Sequence, residues 1–169
     1  MSQNNISVTI SKDCEVITLK VLPIDPGGGV LTLTGAHNGA ALNFTPNTFP
    51  NPVAGQMISL TFTADQLNST GSELSGIYIF TAHQGTFKVS GGVVAACSLQ
   101  CCIANEINEY MACPCDPTKS PKLEKATKVF LLAEGAQADL SATIPNPDNA
   151  IAKFNKAVSL CNSSCGCGC

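Results

Sequence analysis

Two hydrophobic periods divide the chain. From about Asn5 to Ala96 apolar residues tend to recur at every second position. Ile6-Ser7-Val8-Thr9-Ile10 and Ile58-Ser59-Leu60-Thr61-Phe62-Thr63 alternate cleanly, the pattern of strands with one buried and one solvated face. Further strands are predicted at Glu15–Leu22, Val30–Thr34, Leu42–Phe44, Gly76–Ala82, Thr86–Ser90 and Val93–Ala96. The turn-forming stretches DPGGG, HNGA, PNTFPNP, NSTGS and HQGT separate them. About six to eight short strands at this spacing predict an antiparallel β-sandwich. Within ELSGIYIFTA, Tyr78 enters a late strand shortly after a glycine, as the tyrosine corner of immunoglobulin-like sandwiches does. The alternative is a core tyrosine with its hydroxyl at the rim.

After Ala96 the period lengthens to three or four. Leu99, Ile103, Ile107, Tyr110 and Met111 form one helical stripe. Ser120-Pro121 opens a second helix, with proline where its missing N–H costs nothing. Its stripe is Leu123, Ala126, Phe130 and Ala133, flanked by Val129, Leu132 and Ala136. Asn146-Pro147-Asp148 opens a third, with Asn as cap and an acid in the first turn. Ala150, Ile151, Phe154, Ala157 and Val158 share its apolar face, and it ends near Cys161. The second and third helices make a hairpin, and FNKAVSLC is similar to the second helix of a tetratricopeptide unit. One such unit needs a neighbour to bury its face, a part the first helix can fill. The expected fold is α+β in two domains: a β-sandwich over residues 1–96 and a three-helix bundle over 97–169.

Charge changes the picture. Only 12% of the 169 residues are charged, about half the roughly 25% usual in soluble domains. No Asp, Glu, Lys or Arg occurs from Pro26 to Ala64. A Ser/Thr/Asn-rich β surface explains this, as does a surface covered by partner subunits. All nine basic residues are Lys, they are scattered, and the net charge is −3. The basic, Arg-bearing footprint of a nucleic-acid binder is missing. No apolar run approaches the roughly 20 residues that span a bilayer. The opening MSQNNISVTI has neither a positive nor an apolar signal region, so synthesis and folding in a cytoplasm are expected.

Ten cysteines stand against that expectation, because disulfides persist in oxidising compartments. A protein made in a cytoplasm and delivered outside it, as a virion protein is, removes the conflict. In an up-down-up bundle the end of the first helix, the start of the second and the end of the third share a side. Cys113, Cys115, Cys161, Cys165, Cys167 and Cys169 are therefore expected to converge. Tetrahedral zinc suits such thiolates, although the spacing is C-x-C and neither His37 nor His83 is near in sequence. Disulfides are the second option, and a link from the tail CNSSCGCGC to the next subunit is the third. Cys97, Cys101 and Cys102 lie at the other end, Cys101 about 18 Å from Cys113 at helical rise. They are expected to pack locally, to meet one another or to face the β domain. Cys14 reads as a small buried apolar residue.

Catalysis finds no foothold. His37 and His83 lie in turn-like AHNGA and AHQGT, and no cysteine-protease signature accompanies them. The glycines at 27–29 lack the helix start and Lys-Ser/Thr of a phosphate loop. The expectation is a non-enzymatic protein with no resident cofactor, zinc being the one its cysteines could take.

The succession ISVTISKDCEVITLKV, SGIYIF and VVAACSLQCCIANEI resembles the layout of small structural proteins of tailed bacteriophages. There an immunoglobulin-like domain precedes a cysteine-bearing helical domain, with a CC pair at the junction and a Cys-rich end. The resemblance covers nearly the whole chain. It implies a virion component of the neck, tail or tail-hub region, made in the host cytoplasm. Its partners would be other virion proteins and copies of itself in a ring, with no direct contact to nucleic acid or membrane. The other reading is a thiolate metal-binding or redox-responsive module using Cys113, Cys115 and the Cys161–Cys169 tail. A secreted adhesin is a third, weakened by the absent signal.

Overall fold

The structure, a computed structural model, describes residues 5–23, 29–67, 73–112, 120–142 and 144–162, without the side chains of Ser120 and Asn162. Among the described residues eight strands precede three α-helices, an α+β arrangement. The strands are β1 (Ile6–Ile10), β2 (Val16–Val21), β3 (Leu31–His37), β4 (Ala40–Leu42), β5 (Thr48–Phe49), β6 (Ile58–Thr63), β7 (Gly76–Gln84) and β8 (Phe87–Ala95). The helices are α1 (Cys97–Ala112), α2 (Ser120–Ser141) and α3 (Pro147–Asn162). One sheet runs β1-β2-β6; the other runs β4-β3-β7-β8, with β5 also paired to β3. Every pairing among the described residues is antiparallel.

Alternation decides which face goes where. Ile17, Leu19 and Val21 of β2, Leu31 and Leu33 of β3, and Tyr78, Phe80 and Ala82 of β7 enter one core shared by the two sheets. At its centre Phe44, Phe62 and Phe80 meet with ring centroids 5.1, 5.6 and 5.8 Å apart. Gly35 makes the close approach feasible, because a Cβ there would lie 2.9 Å from the Phe44 ring. The odd positions of β7 and the even positions of β8 point the other way. Ile77, Ile79 and Val94 join the helices in a second cluster. The four-stranded path is thus covered on both faces, by the first sheet and by the helical layer.

Three strand expectations are corrected. The predicted Val30–Thr34 strand runs on to His37, and the one at Leu42–Phe44 lies instead at Ala40–Leu42. Asn38 and Gly39, both at positive φ, make the tight turn that Asn-Gly favours and fix that register. The predicted break at Gly91-Gly92 is absent, and β8 runs through it. These glycines serve close packing: a Cβ on Gly91 would sit 3.2 Å from Ile6, and one on Gly92 2.9 Å from the Tyr78 carbonyl and 3.2 Å from Leu140 of α2. His83, read as a turn residue, is inside β7 opposite Lys88.

The helices begin as their sequences direct. Asn146 Oδ1 accepts the Asn149 amide at 3.1 Å, an N-cap before Pro147. Gln137 of α2 accepts the Val94 amide of β8 at 3.1 Å, which ties the helix to an outer strand of its sheet and satisfies a donor there. Lys153 of α3 reaches Asp139 of α2 at 2.7 Å, and Asn149 donates to the same carboxylate at 2.9 Å.

Candidate functional site: the cross-linked helices and their outer seam

The turn between β1 and β2 positions the first thiol. Ser11 donates from its hydroxyl to Asp13 and accepts the Val16 amide on its Oγ at 3.0 Å, closing a tight turn over five residues. That hydroxyl, with the Glu15 amide, holds the Asp13 carboxyl below the usual aspartate range. Cys14 takes φ 56° here, a region unfavourable for a residue with a Cβ. It is buried, as expected, but it is bonded to Cys97, with Cα atoms 6.1 Å apart and a sequence separation of 83. The bond ties the strand turn to the first residue of α1.

Cys102 is bonded to Cys161 of α3, Cα atoms 6.0 Å apart across 59 residues of sequence. Cys101 is disulfide-bonded as well. The up-down-up order puts Cys161 at the C-terminal end of α1; it lies instead beside the first half of α1, about 15 Å in helical rise from Ala112. Helix lengths explain the difference. With 16 residues against 22 in α2, α3 starts at the far end of the longer helix and stops short of its beginning. A sulfur in a disulfide is no thiolate ligand, so Cys161 in this state offers nothing to zinc. Cys113, Cys115, Cys165, Cys167 and Cys169 lie outside the described residues. Among the described residues no group of three or more His, Cys, Asp or Glu could hold a metal ion, and no helix is long and apolar enough to cross a membrane.

The buried faces of α1 and α2 are not the stripes their sequences advertise. On α1 Leu99, Cys102 and Glu106 are buried, while Ile107 and Met111 of the predicted stripe are exposed, Met111 at 65%. On α2 Ala126, Val129, Ala136 and Leu140 are buried, while Leu123, Phe130 and Leu131 are exposed, the last two at 50% and 61%. The reason is visible in Phe130-Leu131-Leu132: apolar side chains on three consecutive positions wrap more than one side of a helix. The sheet and the disulfides then choose which side turns inward.

Electrostatics completes the seam between these two helices. The Glu106 carboxylate, 1% exposed, meets Lys125 at 2.8 Å and Lys122 at 3.4 Å. Lys122 also pairs with Glu109 at 2.9 Å; this bond, and then the nearby Glu106 charge, hold its ammonium above the usual lysine range against the effect of desolvation. Two separate hollows lie along the outside of the seam. At one end Tyr110, Leu123 and Thr127 border an open hollow of about 450 Å³ with Glu124 and Lys128 on its edge. At the other end Leu99, Ile103, Phe130 and Ala133 line a hollow of about 170 Å³. Glu124 and Lys128 pair at 2.6 Å across one turn of α2, and the lysine holds the Glu124 carboxyl below its usual range.

The histidines have structural partners. The His37 ring stacks on Tyr78 at 4.4 Å with 10° between planes, and its Nε2 donates to the Ser75 carbonyl at 2.6 Å. Burial raises the Tyr78 hydroxyl above the usual phenol range, and the Ser75 amide beside it partly offsets this. The sequence reading missed Glu106, Leu131 and the Glu124–Lys128 pair as parts of this surface. Only the third apolar position in a row signalled it. No protein-family model matches this chain, and no curated protein matches it in sequence.

Proposed function

We propose that this chain is a structural building block that works by contact between subunits in a symmetric assembly. The observation that carries the proposal is the exposure of Leu123, Phe130 and Leu131 on α2 and of Met111 near the end of α1. Large apolar residues grouped on one exposed face mark interaction surfaces, and symmetric assembly removes them from water in pairs. The sparse charge of the chain is in keeping with surface covered by neighbours.

The setting we propose is a tailed-phage virion, in the neck, tail or tail hub, with partners among virion proteins and copies of the same chain in a ring. Its support is the sequence layout described above. An immunoglobulin-like sandwich over residues 1–96 and a three-helix bundle over 97–169 belong to the same proposal. The core shared by two antiparallel sheets supports the first, as does the Tyr78 hydroxyl beside an amide three residues upstream. The packing of α2 between α1 and α3 supports the second. No catalytic role is assigned to any residue. The tail cysteines Cys165, Cys167 and Cys169, with Cys113 and Cys115, would latch the helical part or join it to a neighbour.

Native mass spectrometry of protein extracted gently and without reductant tests this. A multimer, with a mass deficit from lost thiol hydrogens, is the expected result. A monomer carrying one zinc per chain overturns the building-block reading and points to the thiolate module instead.

A further inference from the structure

Beside the exposed Leu123 and Leu131 of α2 stand two exposed charges of opposite sign, Glu124 and Lys128, one helical turn apart. A nucleic acid or an anionic membrane calls for a run of one sign. This surface presents both, at a spacing of one helical turn, beside an apolar strip. Such a strip fits a partner that offers apolar residues and the same charges in reverse order.

We infer that the partner is a second copy of the chain, docked about a two-fold axis that crosses α2 near Thr127. The inference rests on the building-block reading and names what meets this face. In an antiparallel pair of α2 helices, residues equidistant from the axis face each other. Leu123 then lies over Leu131 of the second copy, and Glu124 lies within a turn of Lys128 of the second copy. Both contacts occur twice, because a two-fold interface is self-complementary. A parallel pairing would set Glu124 against Glu124 and Lys128 against Lys128. Charge order therefore selects the antiparallel arrangement. The intrachain Glu124–Lys128 pair is exposed on both sides, at 67% and 59%, so its partners can exchange at little cost. In a ring assembly the same contact would join two rings back to back.

Sedimentation equilibrium and native mass spectrometry of the full oxidised chain test this. The wild type is expected to populate an even-numbered oligomer. Leu131→Glu should break the two-fold contact while the dissociated chain keeps its native circular dichroism, since the side chain is exposed within the single chain. Glu124→Lys and Lys128→Glu should each weaken association by about tenfold or more, because each places like charges together twice. Mixing those two variants should restore it as a heterodimer, in which both charge contacts are again opposite in sign. A partner of another kind would not give that rescue, because neither variant would then meet the other. An oligomer untouched by Leu131→Glu, or single variants not rescued by mixing, overturns the inference and leaves the building-block reading to another face. A wild type that is monomeric both in isolation and when extracted overturns both.

Discussion

The two hydrophobic clusters of the molecule are built from different materials. Between the sheets, Phe44, Phe62, Phe80, Tyr78 and a set of Leu and Ile side chains interlock. In the helical layer the buried positions are largely Ala126, Ala136, Ala150, Ala157, Val129, Cys102 and Cys161, with Leu99, Leu140 and Phe154 as the large members from the helices. Burying a Phe- or Leu-sized side chain is worth about 1.5–3 kcal/mol; an alanine contributes far less. Small residues let the helices approach closely but remove little apolar area from water. The helical layer makes up the difference with covalent bonds and ion pairs: both described pairings, Cys14–Cys97 and Cys102–Cys161, anchor α1, and Glu106 gathers two lysines. The large apolar residues that could have filled this core, Phe130 and Leu131, face outward. The strand half is held by burial of large side chains, and the helical layer leans on cross-links and ion pairs.

Truncating one phenylalanine in each region gives the sharpest contrast. Phe80→Ala should cost about 3–5 kcal/mol, the usual penalty for emptying a packed aromatic position. Phe130→Ala should stay within about 0.5 kcal/mol. Denaturant melts of the two variants check this, and equal losses would erase the distinction between the regions.

Next in size are the cross-links. Their loops, 14–97 and 102–161, do not overlap, so their effects should be nearly independent. On the chain-entropy model each loop of this length contributes about 4 kcal/mol. Removing Cys102 and Cys161 together as Ser should lower the melting temperature of the helices while the sheet core stays folded, as near-ultraviolet and far-ultraviolet circular dichroism would separate.

Glu106→Gln should cost about 2 kcal/mol, since two charge-assisted contacts are lost and a buried amide replaces the carboxylate. Double-mutant cycles with Lys125→Met measure the coupling, and zero coupling would mean that the pair does nothing to hold α1.

The smallest effect is at low pH. Asp13 and Glu124 have folded-state values below their ordinary ones. A depressed carboxyl stabilises fully above its unfolded pKa, and that contribution fades as pH falls through the folded value. Stability should therefore decline from about pH 5 to about pH 2, and Asp13→Asn should flatten part of that slope in the strand half. Both groups are exposed, so the change should be slight. A steeper slope in the Asp13→Asn variant would contradict the assignment.

What the sequence made legible follows from where a single residue type had a single use. Ile6 to Ile10 and Ile58 to Thr63 alternate in one sense only, and both are strands as read. Pro121, Asn146 and Pro147 have few roles outside helix starts, and the second and third helices begin at them. Ambiguity entered where one residue serves two ends. Glycine breaks strands and also permits close packing; at Gly91 and Gly92 the second use holds, which only the position of Ile6 and Leu140 reveals. The α3 stripe is buried as read at Ala150, Phe154 and Ala157, whereas those of α1 and α2 hold only in part, with Ile107, Met111, Leu123 and Phe130 exposed. Apolar periodicity finds a face that leaves water, but it does not say whether the chain or a partner removes it. The cysteines were least legible, because pairing depends on helix length and offset: six residues' difference between α2 and α3 moved Cys161 from the C-terminal end of α1 to Cys102.

The most direct test of the contrast is hydrogen exchange on the oxidised and the fully reduced protein at neutral pH. If α1 is held by its cross-links, its amides between Leu99 and Met111 lose protection on reduction, while those of β2 and β7 in the aromatic core keep theirs. Unchanged protection in α1, or equal loss in the helices and the sheets, would contradict a helical layer held by cross-links beside a strand core held by burial.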